Sequence, residues 1–271
     1  MWTDELQVSD DASPAAWIAP RLGGEFGAVT RTVPGGYDAY VRICHPATDD
    51  NGAPVSWSKV ATATGRKAHP RMQWHALVGS PDSLNFKGSV WPGGGPDRGN
   101  LAPGVLESLC ALLRRHTSDA AHCFFGLWVG WGWVESGSVH VNYRDGRAGV
   151  SYVSTAKPTD RIPPAFSAHE LSRPRLKLPS RDYLLLVGPL SAAIRIGDPA
   201  GIGGFAPQSP NLFWSADQVW CVASEIDFDS TLVGGTADLI QAILDTPALD
   251  AWPIGPDDSL ASDADEINEV Q

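Results

Sequence analysis

Apolar positions recur at the helical interval in two places. Val105, Leu106, Leu109, Leu112 and Leu113 mark one face of a helix. Pro103 suits its first turn, and Arg114, Arg115 and His116 suit the negative end of its dipole. Leu239, Ile240, Ile243 and Leu244 mark a second helix over Ala237–Asp245, capped by Thr236 and bounded by Pro247. Ser56 caps a short third helix over Trp57–Ala63, which Gly65 stops. Met72–Val78 predicts one more short helix after Pro70, and Ala15–Leu22 one or two turns.

Other stretches are rich in β-branched and aromatic residues and bounded by turn formers. Ala28–Val33 and Tyr37–Ile43, joined by Pro34-Gly35-Gly36, predict a hairpin. His122–Val129, Trp131–Val134, Ser138–Tyr143 and Gly149–Ser154 predict consecutive strands, with Asp145-Gly146 as a turn. Tyr183–Val187 and Ser191–Ile196 flank Gly188-Pro189, and Trp220–Phe228 predicts a further strand. Strands that follow one another without helical crossovers predict an α+β fold. The expected architecture is a mostly antiparallel, Trp-rich sheet with a few flanking helices. The Pro- and Gly-rich loop Trp91–Asn100 suggests an N-terminal α+β subdomain over residues 1–91 and a sheet-based domain over 101–254. Residues 255–271 carry six acids and no Lys or Arg, and read as a disordered acidic tail.

Composition narrows the function. The net charge of −11 disfavours non-specific nucleic-acid or membrane-surface binding. Met1–Asp11 has no basic, apolar signal pattern, and no apolar run reaches membrane-spanning length. Cys44, Cys110, Cys123 and Cys221 lie far apart in apolar surroundings, which predicts reduced thiols and a cytoplasmic setting. The glycine-rich run Gly197–Gly204 is followed by Phe205-Ala206-Pro207-Gln208-Ser209-Pro210, a poor start for the helix that a dinucleotide site requires. His69 and His75 have no recognised metal spacing, and His45 reads as a strand end entering a turn. No cofactor or metal ligand set is identified.

Three constellations remain. In Cys123–Trp133, alternation puts Phe124, Gly126, Trp128, Gly130 and Gly132 on one face, a place where a flat ligand or a neighbouring ring could approach. Trp128, Trp131 and Trp133 are the candidate binding aromatics. In Trp220–Ser230, alternation puts Glu225, Asp227 and Asp229 in a row, with Ile226 and Phe228 behind them. Such a row suits either a hard cation or acid–base chemistry, or else a solvated edge. The third is Ser230–Thr236, which leads into the last helix and offers either an anion-binding turn or a plain strand-to-helix turn. The basic segment containing Arg161, Arg173, Arg175, Lys177 and Arg181 suits an acidic partner or the chain's own acidic surface.

Two stretches resemble a family of uncharacterised actinobacterial proteins. One is Cys123-Phe-Phe-Gly-Leu-Trp-Val-Gly-Trp-Gly-Trp133. The other runs from Ser209-Pro-Asn-Leu-Phe-Trp through Trp220-Cys-Val-Ala-Ser-Glu-Ile-Asp227 to Gly235. Tyr37–Pro46 and Met72–Leu77 are also similar. Ser215, Gln218 and Val219 depart from the family's pattern, while Asp217 keeps it without the Arg that usually follows. The resemblance implies a shared fold and a cytosolic bacterial setting, and brings no activity. The expected function is a non-enzymatic binding or protein-interaction module, regulatory or immunity-like, whose partner is another protein or a small ligand. The alternative is a metal-dependent or acid–base hydrolase using Glu225, Asp227 and Asp229. Carbohydrate binding through Trp128, Trp131 and Trp133 is a weaker third class.

Overall fold

A computed structural model describes residues 5–25, 27–84, 89–135, 165–179, 181–199 and 205–268. The expected strands Ser138–Tyr143 and Gly149–Ser154, Arg161 of the basic segment and most of the run Gly197–Gly204 lie outside the described residues. The described strands are β1 (Gln7–Val8), β2 (Ala39–Cys44), β3 (Ala47–Thr48), β4 (Pro54–Val55), β5 (Cys123–Trp128), β6 (Arg175–Leu178), β7 (Arg181–Gly188), β8 (Gly197–Asp198), β9 (Ala206–Pro207), β10 (Leu212–Ser215), β11 (Cys221–Ala223), β12 (Ser230–Gly235) and β13 (Ala251–Ile254). The described α-helices are α1 (Val29–Thr32), α2 (Trp57–Thr64), α3 (Trp74–Leu77), α4 (Pro103–Leu113), α5 (Gly132–Glu135), α6 (Ala168–Leu171) and α7 (Ala237–Leu244).

Nine strands form one sheet in the order β1-β7-β5-β10-β11-β12-β2-β13, with β6 also pairing β7. Every pairing in it is antiparallel. The fold is α+β, as the strand succession predicts. Side-chain alternation splits the apolar residues between two faces. Val41, Ile43, Phe125, Leu127, Leu184, Leu186, Phe213, Val222 and Val233 pack with α4 and α7 on one face. Tyr40, Tyr183, Leu185, Leu212, Trp214, Ala223 and Leu232 pack on the other against Ile18, Val29 and Val33 from the N-terminal segment. With both faces covered, the central strands lose the polar alternation of a half-exposed sheet.

A third cluster gathers Trp57, Val60, Met72, Trp74, Leu77 and Val78 around the end of β2. Arg42 of β2 is 1% exposed beneath it. Its Nη1 donates to the carbonyls of Met72 at 2.7 Å and Pro70 at 3.1 Å, and its Nε donates to Ser230 Oγ at 3.0 Å. The Trp91–Asn100 loop does not end a sheet: β2, from before it, lies between β12 and β13, from after it.

Helices α4 and α7 match the apolar periodicity, α2 lies between its expected Ser56 cap and Gly65 stop, and Thr236 caps α7 as expected. Several strand expectations are corrected. Val29–Thr32 is helical, so the expected hairpin has only its second strand. Gly132–Glu135 is a turn of helix where Trp131–Val134 reads as a strand. Leu190–Arg195 is a 3-10 helix where Ser191–Ile196 reads as one. The run Trp220–Phe228 is extended only over Cys221–Ala223, and a turn over Ile226-Asp227 then carries the chain into β12.

The acidic tail is also corrected. Residues 255–268 fold onto the body, with Leu260, Ala264, Asp265 and Asn268 buried. The Leu260 amide donates to the Gly27 carbonyl at 2.8 Å. The Asp265 carboxylate accepts from His69 Nε2 at 2.7 Å and from the amides of Gln73 at 3.1 Å and Asn268 at 2.9 Å. A charge count reads such a segment as solvated; buried N–H groups that need an acceptor hold it in place.

Candidate functional site

In β5 the alternation sends Phe125 and Leu127 to the helix face and Phe124 and Trp128 to the opposite one. At Gly130 the glycine-bearing face is closed by one of the protein's own rings. A Cβ on Gly130 would lie 2.1 Å from the Trp128 indole, so the ring folds back over that glycine. Trp131 meets Trp128 edge-on at 5.5 Å between centroids. The Asn211 Oδ1 accepts from both the Trp131 Nε1 and the Trp128 amide at 3.0 Å, which fixes the pair. Trp133 lies apart and stacks on Phe166 at 6.2 Å.

The carboxylates do not form a row, because the strand stops before them. Arg181, at the start of β7, joins two of them to the tryptophans. Its Nε donates to Glu225 Oε1 at 3.1 Å, and its Nη2 donates to Asp227 Oδ2 at 3.0 Å. Its guanidinium carbon lies 5.6 Å from the Trp128 ring centroid. Asp229 turns the other way and meets Arg42 Nη2 at 3.4 Å. Ile226 and Phe228 are half-buried. Of the six residues singled out in sequence, the structure brings Trp128, Trp131, Glu225 and Asp227 together and leaves Trp133 and Asp229 elsewhere. Among the described residues, no group of three His, Cys, Asp or Glu side chains is placed to hold a metal ion.

Beside this cluster is a cavity of about 60 Å³ lined by Arg31, Thr32, Arg181, Tyr183, Asn211 and Glu225, among others. It opens on the sheet face opposite α4 and α7. Tyr183 is 8% exposed, and its hydroxyl has no hydrogen-bond partner among the described residues. Burial pushes its phenol upward, so it remains a donor at neutral pH. Arg31 forms no ion pair among the described residues. Sequence reading misses Arg31, Tyr183 and Asn211 because each comes from a different segment and no spacing connects them.

Two further polar networks are present, and the first of them ends at Ser224, which also lines the cavity. His45 Nδ1 lies 2.6 Å from the Asp97 carbonyl, His45 Nε2 lies 2.9 Å from Thr231 Oγ1, and Thr231 Oγ1 lies 2.7 Å from Ser224 Oγ. A carbonyl only accepts, so Nδ1 carries the proton and Nε2 accepts from Thr231, which in turn accepts from Ser224. Burial lowers the pKa of His45, in keeping with this neutral ring. Asp217, which lacks its expected Arg, accepts instead from Ser215 Oγ, Thr117 Oγ1 and the Ser118 amide and hydroxyl. Burial would raise its pKa, but these hydrogen bonds outweigh burial and hold the carboxyl at about 2. Ser230–Gly235 is not an anion-binding turn: all six residues are buried in β12.

No described helix is long and apolar enough to cross a membrane. No protein-family model, no curated protein and no solved structure matches the chain.

Proposed function

We propose that the protein is a binding module of the cytoplasm, and that it takes a small ligand, or the side chain of a partner protein, at the cavity beside Arg181. One observation carries this reading. Arg181 is held at once by the Trp128 face, Glu225 and Asp227, at the wall of a cavity whose Tyr183 hydroxyl has no hydrogen-bond partner among the described residues. Fixed polar groups around a small concavity select and orient a ligand. Carbohydrate stacking on Trp128 gains no support, because Arg181 covers the ring and Gly130 lies against it. Hydrolysis by Glu225, Asp227 and Asp229 is disfavoured by geometry: two of the carboxylates hold Arg181 and the third faces Arg42. Membership in the actinobacterial family would add a fold and a setting, but no activity. Nucleic acid is not the expected partner, given the charge of −11.

The test is native mass spectrometry of the full chain after incubation with pooled cytosolic metabolites, beside Arg181→Ala. A bound species present on the wild type and lost from the variant supports the module. An identical set on both proteins overturns it at this site.

A further inference from the structure

We infer that the trough between α7 and the free edge of β13 docks a basic segment of a partner protein, one that carries Lys or Arg beside apolar side chains. This face is separate from the cavity beside Arg181 and stands without it. The trough has a volume of about 560 Å³, and its walls include Tyr37, Asp38, Ile240, Gln241, Leu244 and Pro253. Ile240, Gln241 and Leu244 are neighbours at the helical interval, so one stripe of α7 forms one wall. The Tyr37 and Tyr40 hydroxyls already donate to the carbonyls of Gln218 and Pro34, at 3.2 Å each. These residues therefore leave ring surface to a partner, which an apolar stem or a cation can approach.

The charge around the trough has one sign. Neither Tyr37–Tyr40 nor residues 237–256 contain a Lys or Arg, and none occurs anywhere after Arg195. Asp38 lines the trough, exposed and with no ion pair among the described residues. Asp238, Asp245, Asp257 and Asp258 lie close to its wall residues in the chain. Gln241 and the Gly255 amide engage Asp245 and Asp258 by hydrogen bonds alone, which leaves those charges in place. The cations of the N-terminal segment packed beside it are Arg21, which stacks on Trp17, and Arg31, which lines the cavity beside Arg181. Five acids thus stand against two cations, and neither cation lines the trough.

The edge of β13 adds acceptors and no donors. β13 is the last strand of the sheet. The Cys44 amide donates to the Asp250 carbonyl at 2.9 Å, so in this antiparallel register Trp252 and Ile254 bond to β2 while Ala251 and Pro253 turn outward. The Ala251 amide donates to the Leu249 carbonyl at 2.9 Å, and Pro253 has no amide hydrogen. The outward carbonyls therefore remain as acceptors along with the Asp38 carboxylate. Such an edge resists the addition of a strand, that of a second copy of this chain included. It suits side chains that donate only and carry positive charge, which are Lys and Arg.

The experiment measures the fluorescence anisotropy of a labelled synthetic amphipathic helix of Leu and Lys with the full chain, at physiological ionic strength. Peptides with Glu in place of Lys, and with Ser in place of Leu, are the further arms. The expected result is saturable binding of the Leu–Lys peptide, with each control peptide about tenfold weaker or more. Asp38→Lys and Gln241→Lys, both at exposed positions, should keep the melting temperature and each weaken the Leu–Lys peptide about tenfold. Glu107→Lys makes the same charge change as Asp38→Lys at an exposed position on α4, and should leave binding within about twofold, because salt screens a distant charge. Equal weakening by all three variants overturns the docking site, since it reports net charge alone. No saturable binding, full binding to both trough variants, or a control peptide that binds as tightly as Leu–Lys overturns it too. If one trough variant fails to fold, the other decides by itself.

Discussion

His69 Nε2 donates to Asp265 Oδ1 across 2.7 Å, although the two residues are 196 positions apart. Asp265 is 7% exposed, and removing its carboxylate strands the His69 ring nitrogen and the amides of Gln73 and Asn268. An orphaned buried donor costs about 1–3 kcal/mol. Asp265→Ala should therefore destabilise the protein by roughly 2–3 kcal/mol in urea unfolding. Ending the chain after Ile254 should lower the midpoint further. A truncated chain that melts like the full one would show the segment to be dispensable.

The same carboxylate makes a pH prediction. Burial would raise Asp265, but hydrogen bonds from Asn268, Gln73 and His69 outweigh it and lower its pKa. Its contribution is thus present above the ordinary carboxylate value of about 3.9 and is lost as pH falls through the lower folded value. Asp217, held at about 2, acts in the same direction. The stability gap between wild type and Asp217→Asn should be full at neutral pH and shrink between about pH 4 and pH 2. A constant gap in acid titrations followed by circular dichroism would refute it.

Gly130 makes room for the Trp128 ring. Gly130→Ala puts a methyl group where the indole lies, and the ring must move off Arg181 and Trp131. The expected effect is a changed near-ultraviolet circular dichroism band and a loss of about 1–3 kcal/mol. An unaltered aromatic spectrum would show that Trp128 does not depend on that glycine.

The two arginines that divide the carboxylates should differ sharply. Asp227 is 74% exposed, and Asp227→Asn should change stability by no more than about 0.5 kcal/mol. Arg42→Ala leaves the Pro70 and Met72 carbonyls and Asp229 without their buried partner, and should cost about 3–5 kcal/mol. With the carboxylates divided in this way, Mg²⁺ or Ca²⁺ should leave the melting temperature unchanged. A saturable metal-dependent rise that Asp227→Asn removes would restore the alternative of a hard-cation site.

The parts of this fold legible in the sequence are those with a local cause. Helices α4 and α7 carry an apolar stripe, Ser56 and Gly65 delimit α2, and Cys123–Trp128 reads as a strand. What the sequence conceals depends on distant partners. Ser230–Gly235 reads as a turn because Gly234 and Gly235 interrupt it, yet those glycines admit the rings of Tyr37 and Tyr40 and the side chain of Leu239. Alternation misplaces Asp229 because the strand ends at Ala223, where the ladder with β10 and β12 stops. At the site, Trp128, Glu225 and Asp227 stand out by composition. The residue that unites them, Arg181, reads only as one more cation in a basic stretch, and Arg31 and Tyr183 carry no local signal.

The place of β2 in the sheet has a consequence for how the protein is made. Arg42 and its partner Ser230 are 188 positions apart, and β2 finds both of its neighbours only near the far end of the chain. At a synthesis rate of about 5–20 residues per second, the strand emerges and then waits roughly 10–40 seconds before either neighbour exists. During that interval Val41 and Ile43 belong to an apolar strand with both edges open, the kind of segment that chaperones shield. Assembly of the sheet is thus tied to synthesis of the chain through β13, and refolding from denaturant should be slow because its decisive contacts are so far apart.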